Sequence, residues 1–245
     1  MRGLTASELL EVWEQGHAAP IFQRSLMLLA AACTDLAADD LLSMSIGKCD
    51  ASLMDLRALT FGPIINCLEN CPGCEDPLEL SLRTLDLKIE CCDLPENPFS
   101  ILSDEYEIKF RLPSSRDLFS ISGCREIKEA KEIMLKRCIT EIRRNGEICS
   151  NDIQLSDGAS QKISERMREI DPQANVEVNL ICPSCKFRWQ RIFDVATFFW
   201  KEIDAWAFRT MKEVHVLASA YGWSETEILS MSLWKRQFYL EMVGE

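Results

Sequence analysis

Over the first sixty residues of this 245-residue chain, apolar side chains recur every three or four positions. That is the spacing of a helix with one buried stripe. Thr5 or Ser7 can cap a first helix carrying Leu9, Leu10, Val12 and Trp13, and the run from Gly16 to Pro20 breaks it. A second helix carries Phe22, Leu26, Leu29, Ala30 and Cys33. Shorter helical pieces are expected over 41–46 and 51–59, around a turn at Gly47-Lys48. From Leu78 the period changes to two, with Leu80 and Leu82 alternating with polar residues. Leu85, Leu87 and Ile89 continue the alternation on the opposite parity, which predicts a bulge or bend near Thr84. Residues 91–98, with two prolines, read as a loop. Tyr106, Ile108 and Phe110 form another strand, closed by Pro113-Ser114-Ser115.

The second half repeats both periods. Arg125 to Arg143 reads as one amphipathic helix, with Ile127, Ala130, Ile133, Met134 and Cys138 near one face and Asn145-Gly146 as its stop. Ser156 to Ile170 is a further helix, ended by Asp171-Pro172. Val176, Val178 and Leu180 then alternate, and Phe187 and Trp189 continue beyond a cysteine turn. In the last fifty residues Phe199, Ile203, Trp206, Thr210, Val214, Leu217 and Tyr221 form one helical stripe that begins after an Asp194 cap and stops at Gly222. Ser224-Glu225-Thr226-Glu227 is a capping box, and Ser232 caps a final helix.

Cysteine usage changes the picture. The chain has 12 cysteines, four of them in the turns Cys71-Pro72-Gly73-Cys74 and Cys182-Pro183-Ser184-Cys185. Each turn lets two thiolates reach one ion, and two turns supply the four soft ligands of a structural zinc site. Cys67 is the one nearby competitor. With four thiolates the site has no open position for water, so the zinc would be structural and not catalytic. Glu69, Glu75, Asp76 and Glu79 flank the first turn, and Lys186, Arg188 and Arg191 the second, so the two sets can attract each other. The sequence carries no nucleophile elbow, P-loop or dinucleotide fingerprint, and it reads as no enzyme, with no small-molecule substrate.

The expected fold is α+β: mostly helical, with a small antiparallel zinc-ribbon-like sheet stapled by the four cysteines. Residues 1–245 form a single composite domain. Its parts are a helical 1–60, a ribbon built from 61–122 plus 174–192, a helical insertion at 123–172 and C-terminal helices over 193–245. The net charge of −12 disfavours a nucleic-acid backbone or an anionic membrane as partner. The apolar run 26–32 is too short for a bilayer span and too late for a leader, so a cytoplasmic chain with reduced thiols is expected. Trp200 and Phe208 lie off the long helix stripe. With Trp223 and Trp234 they are the candidate aromatic anchors for a protein partner.

Four segments carry a family resemblance. They are Leu56-Arg57-Ala58-Leu59-Thr60-Phe61-Gly62-Pro63; Phe110 to Leu118; the second cysteine turn with Trp189 and Phe193-Asp194-Val195-Ala196; and His215-Val216-Leu217-Ala218 with Ala220 to Glu225 and Ile228-Leu229. Together they resemble the base plate proteins of T4-type phages and of phage-tail-like contractile injection systems, related to the hub assembly protein. The resemblance implies a structural or assembly role among other baseplate hub proteins, possible incorporation into a phage-like particle, and no catalytic residues. The phage relatives are shorter, and their pattern does not itself imply this zinc ribbon. Two other readings stay open: a zinc-ribbon nucleic-acid-binding or transcription accessory protein, and a chaperone switched by zinc release on oxidation.

Overall fold

A computed structural model of the protein describes residues 1–89, 98–103, 105–149 and 155–244. Helices dominate, as the spacing implies. α1 (Ala6–Gly16) starts at a Thr5–Glu8 capping box, and α2 (Ile21–Ala32) follows the break at Pro20. The short α3 (Ala38–Ser43) precedes α4 (Ile46–Phe61), which Ser45 caps. With the 27-residue α9 (Val195–Tyr221), these helices bury the largest core, centred on Leu9, Leu29, Leu56, Phe199 and Ile203. α10 (Glu225–Ser230) and α11 (Leu233–Val243) start at their expected serine caps. Among the described residues no helix is long and apolar enough to cross a membrane.

Among the described residues the strands form three separate antiparallel sheets and not one continuous sheet. β1 (Ile64–Asn70) pairs with β2 (Pro77–Arg83), and β7 (Glu177–Ile181) with β8 (Arg188–Ile192), as two independent hairpins. Between them in sequence, β3 (Phe99–Ser103), β4 (Tyr106–Phe110), β5 (Ile139–Arg144) and β6 (Glu147–Ile148) form a four-stranded sheet. α7 (Ile127–Cys138) and α8 (Asp157–Ile170) join that sheet in a second core around Phe110, Cys138, Ile142 and Ile163. β3, β4 and Leu112 thus share a core with α7, β5 and α8, and a boundary at 122/123 would divide that unit.

Five local expectations are corrected. Gly47-Lys48 is no turn: both lie in the first turn of α4. Glycine is required there because Asp171 approaches so closely that a Cβ would lie 1.9 Å from its Oδ1, and the Gly47 amide donates to Oδ2 at 3.0 Å. After β2 the chain does break at Thr84, as expected, but it does not continue as a second strand. It makes one helical turn, α5 (Thr84–Leu87), which buries Leu87 and leaves Leu85 exposed. The helix expected through Arg143 stops at Cys138 and becomes β5, because Ile142 is buried opposite Ile108. Asn145-Gly146, with φ 51° and 87°, is consequently a two-residue hairpin turn joining β5 to β6. Ile127, placed on the apolar face, is 88% exposed. The loop expected over 91–98 lies outside the described residues, except for Pro98.

The resembling segment from Phe110 to Leu118 has a clear structural task. α6 (Ser115–Ile121) begins at a Ser114–Asp117 capping box, and Asp117 is fully buried. Its carboxylate accepts from both Arg111 terminal nitrogens at 2.6 and 2.9 Å, from Arg137 at 2.9 Å and from the Ser114 amide at 2.9 Å. Burial opposes its ionisation. The Arg111 bonds, the Ser114 amide and Arg137 outweigh that and hold its pKa well below the usual carboxylate range. A depressed folded-state pKa gives stability that is full above the unfolded value of about 3.9 and is lost as pH falls below it. Asp117→Asn should therefore cost about 2–4 kcal/mol at pH 7, less than a fully buried pair because both arginines keep contact with water. Urea unfolding at pH 7 and at pH 3 checks this: the gap between variant and wild type should narrow at the lower pH.

Candidate metal centre

Each hairpin ends in a cysteine turn of the same construction. In the first, the Cys71 amide donates to Asp76 O at 3.0 Å and the Glu75 amide to Cys71 O at 2.8 Å. In the second, the Cys182 amide donates to Phe187 O at 2.9 Å and the Lys186 amide to Cys182 O at 3.0 Å. The residue after the second cysteine is left-handed in both, with φ 62° at Glu75 and 62° at Lys186. A non-glycine residue pays about 1 kcal/mol or more to sit there. The left-handed step turns the chain back into the second strand of each hairpin. Backbone amides also point at the sulfurs: Gly73 N lies 3.3 Å from Cys71 Sγ, and Cys185 N 3.5 Å from Cys182 Sγ.

The two turns meet. The ligand atoms of Cys71, Cys74, Cys182 and Cys185 all lie within 4.8 Å of one another. Cys71 Sγ is 3.6 Å from Cys185 Sγ, and Cys74 Sγ is 3.6 Å from Cys182 Sγ. A tetrahedral ion with metal–sulfur bonds of about 2.3 Å sets its sulfurs about 3.8 Å apart. The observed spacing is close to that value and far from the roughly 2.05 Å of a disulfide. Four soft donors at this separation fit a structural zinc ion, with every coordination position supplied by protein.

Burial grades across the cluster. Cys71 and Cys182 are inside a small core with Leu78, packed by Leu80 and Trp189, whereas Cys74 is half-buried and Cys185 exposed. The thiols do not share one proton affinity. The amides of Cys185 and Ser184 outweigh burial and draw Cys182 down to about 6. At Cys74 the Asp76 backbone favours the thiolate, but burial and the three neighbouring sulfurs push it up to about 12. Crowded thiolates repel, and a bound dication is the partner that would relieve them.

Cys67 lies outside the cluster. It sits in mid-β1 opposite Leu80. Of the opposed charges around the two turns, Glu69 and Arg191 form the ion pair among the described residues, at 3.0 Å. Arg191 is mostly exposed, so the pair is worth less than about 1 kcal/mol and orients the hairpins more than it stabilises them.

The expected aromatic anchors divide. Trp200 is a core residue and not a surface one: it is 5% exposed, lies against Gly16 and carries Arg24 over its ring at 4.6 Å. Phe208 is 50% exposed, edge-on to Trp13 at 5.6 Å. Trp223 is half-buried, stacked on Tyr221 at 4.4 Å. Trp234 is 77% exposed and stacks on Phe238 at 5.9 Å. Sequence reasoning passed over Leu68 and Ile192, two exposed apolar residues beside the clasp. Leu68 belongs to a strand whose pattern is broken by Asn66 and Cys67, and no periodicity signalled it.

Comparison with known protein families gives a match. A family model described as T4 bacteriophage base plate protein matches residues 7–200, a span that contains both cysteine turns and ends within α9. No curated protein and no solved structure matches the chain.

Proposed function

This chain belongs to the T4 bacteriophage base plate protein family, and on that premise we propose that it is a structural or assembly protein of the baseplate hub of a contractile tail or related injection system. It works through protein–protein contacts, in a chaperone-like or resident role, and catalyses nothing. The observation that carries this reading is the family match over residues 7–200. Two exposed aromatic groups, Phe208 and Trp234, and the half-buried Trp223 support it as candidate anchors, since a few desolvated aromatic side chains carry most of the energy of an interface. The chain acts in the cytoplasm where tails assemble, with incorporation into the particle as one outcome.

The four-cysteine cluster holds one structural zinc in this reading, which supplies folding free energy and no chemistry. Binding of nucleic acid is disfavoured by the charge of −12 and by the state of the small basic patch. Arg191 is tied to Glu69, Lys186 Nζ donates to Pro183 O at 2.8 Å, and Trp189 packs into the small core.

Two measurements test this. Metal analysis of purified protein should find about one zinc per chain. Cys71→Ser and Cys182→Ser should each bring that near zero and lower the melting temperature or cause aggregation, while Cys67→Ser should keep the metal. A zinc-free wild type with an unchanged melt after chelation would refute the metal. Separately, affinity capture with the baseplate proteins encoded in the same tail gene cluster should recover a hub or wedge component, and Trp234→Ala should weaken that capture. Recovery of none by folded protein would count against the assembly role.

A further inference from the structure

The two hairpins meet at their cysteine turns and diverge toward the helices, and a cleft of about 370 Å³ opens between them. Cys67, Leu80 and Leu82 line one wall, Val178 and Leu180 the other, and Phe198 of α9 closes the end away from the cysteines. Leu68 and Ile192 stand at its margin, 69% and 61% exposed. Runs of consecutive residues, 67–69 and 191–194, border the cleft, so it follows the edges of β1 and β8 and not only a side-chain face. Both hairpins are two-stranded, which leaves those edges without a neighbouring strand among the described residues. An unpaired edge beside an apolar cleft is a site for strand addition.

The charges around the cleft indicate what it takes. Glu69 and Arg191 neutralise each other across it at 3.0 Å. The Asp194 carboxylate is committed to the α9 cap, accepting from Thr197 N at 2.9 Å and Thr197 Oγ1 at 2.7 Å. Lys201 borders the same cleft and is exposed, and its side chain makes no hydrogen bond or ion pair among the described residues. The lining therefore presents apolar walls, two strand edges and one uncommitted cation.

We propose that this cleft docks an extended apolar segment of another baseplate protein, bearing a carboxylate that pairs with Lys201. The segment runs along the edge of β1 or β8, seats its apolar side chains between the hairpins and covers Leu68 and Ile192. The proposal rests on the assembly role above and adds to it a site and a partner chemistry. It also gives the four-cysteine clasp a task beyond stability, because the clasp sets the distance between the cleft walls.

The test uses the full-length protein and, as probes, each purified baseplate protein encoded in the same tail gene cluster, with calorimetric titration as readout. The double variant Leu68→Glu/Ile192→Glu changes only exposed side chains. Its circular dichroism, melting temperature and metal content should match wild type. It should bind its partner about 30-fold or more weakly, the loss of a hot spot, and Lys201→Glu should weaken binding by several-fold with a smaller effect at high salt. Full-strength binding by both variants would overturn the cleft and leave the assembly role standing. Failure of every probe to bind wild type would remove the assembly role and this inference with it. A wild type that sediments as a dimer, with a monomeric double variant, would make the occupant a second copy of the chain and overturn the partner assignment.

Discussion

The meeting of two cysteine turns is the constraint from which the rest of the arrangement follows. The contacting sulfurs are 108 and 114 positions apart. Closing a loop of that size costs about 4–5 kcal/mol of chain entropy by the loop-closure estimate used for cross-links. Apolar burial at the small core alone, with Cys71, Cys182 and Leu78 fully inside, is slight compensation for that cost. The helices that feed the hairpins offset some of it. α4 leads into β1 and β8 leads into α9. Those two helices are joined by Arg57, which is 3% exposed and grips the Glu202 carboxylate with bonds of 2.9 and 2.6 Å. With the roots of both hairpins fixed in one core, their tips have little conformational space left to lose when they come together.

Everything between the hairpins is an excursion from that frame, and polar contacts tie it back. The end of α8 reaches α4 through Asp171 and the Gly47 amide. Gln173, itself buried, accepts from the Ile89 amide at 2.7 Å and donates to Leu87 O at 3.3 Å. Ser45 and Ser114 form an isolated bridge, and Arg116 pairs with Asp39. Such ties depend on geometry more than on area, because a buried polar group without a partner costs more than a made bond contributes. Among the described residues no buried side-chain nitrogen or oxygen lacks a partner. The concentration of acid has a cost nonetheless: burial, then the charges of Asp194 and Asp171, push the Asp50 carboxyl up to about 7.

What the sequence disclosed follows from how local the deciding physics is. Caps are local, and Thr5, Ser156, Asp194, Ser224 and Ser232 all start the helices assigned to them. The paired turns were legible because two Cys-Pro-x-Cys segments point to one ion however far apart they lie. The failures involve partners remote in sequence. Gly47 reads as a breaker until Asp171 is known to occupy the space of its side chain. Ile139 to Arg144 reads as helix until β4 offers an edge. Trp200 lay off the main stripe of α9 and looked like surface, yet this helix is buried on two sides at its N-terminal half. Periodicity describes one face against one core, and α9 packs against α1, α2 and α4 together.

The proposed docking role requires apolar groups kept in water without unfolding or collapse onto them. Here Leu68, Ile192, Trp234 and Phe208 are each at least half exposed. Such groups add nothing to the free energy of the isolated fold and favour compact alternatives that would bury them. Stability must then come from terms that do not consume those side chains. The half-buried Arg57–Glu202 pair and the Asp117 network are two such terms, and the four-thiol clasp is a third in the proposed zinc-bound form. With the proposed zinc bound, the clasp differs from the others in being all-or-none, because a tetrahedral site with three ligands loses most of its affinity. In the proposed zinc-bound form, the cleft beside it is accordingly either shaped or absent. If the cleft docks a partner segment as proposed, its edge strands take up their binding geometry only after the distant halves of the chain have found each other.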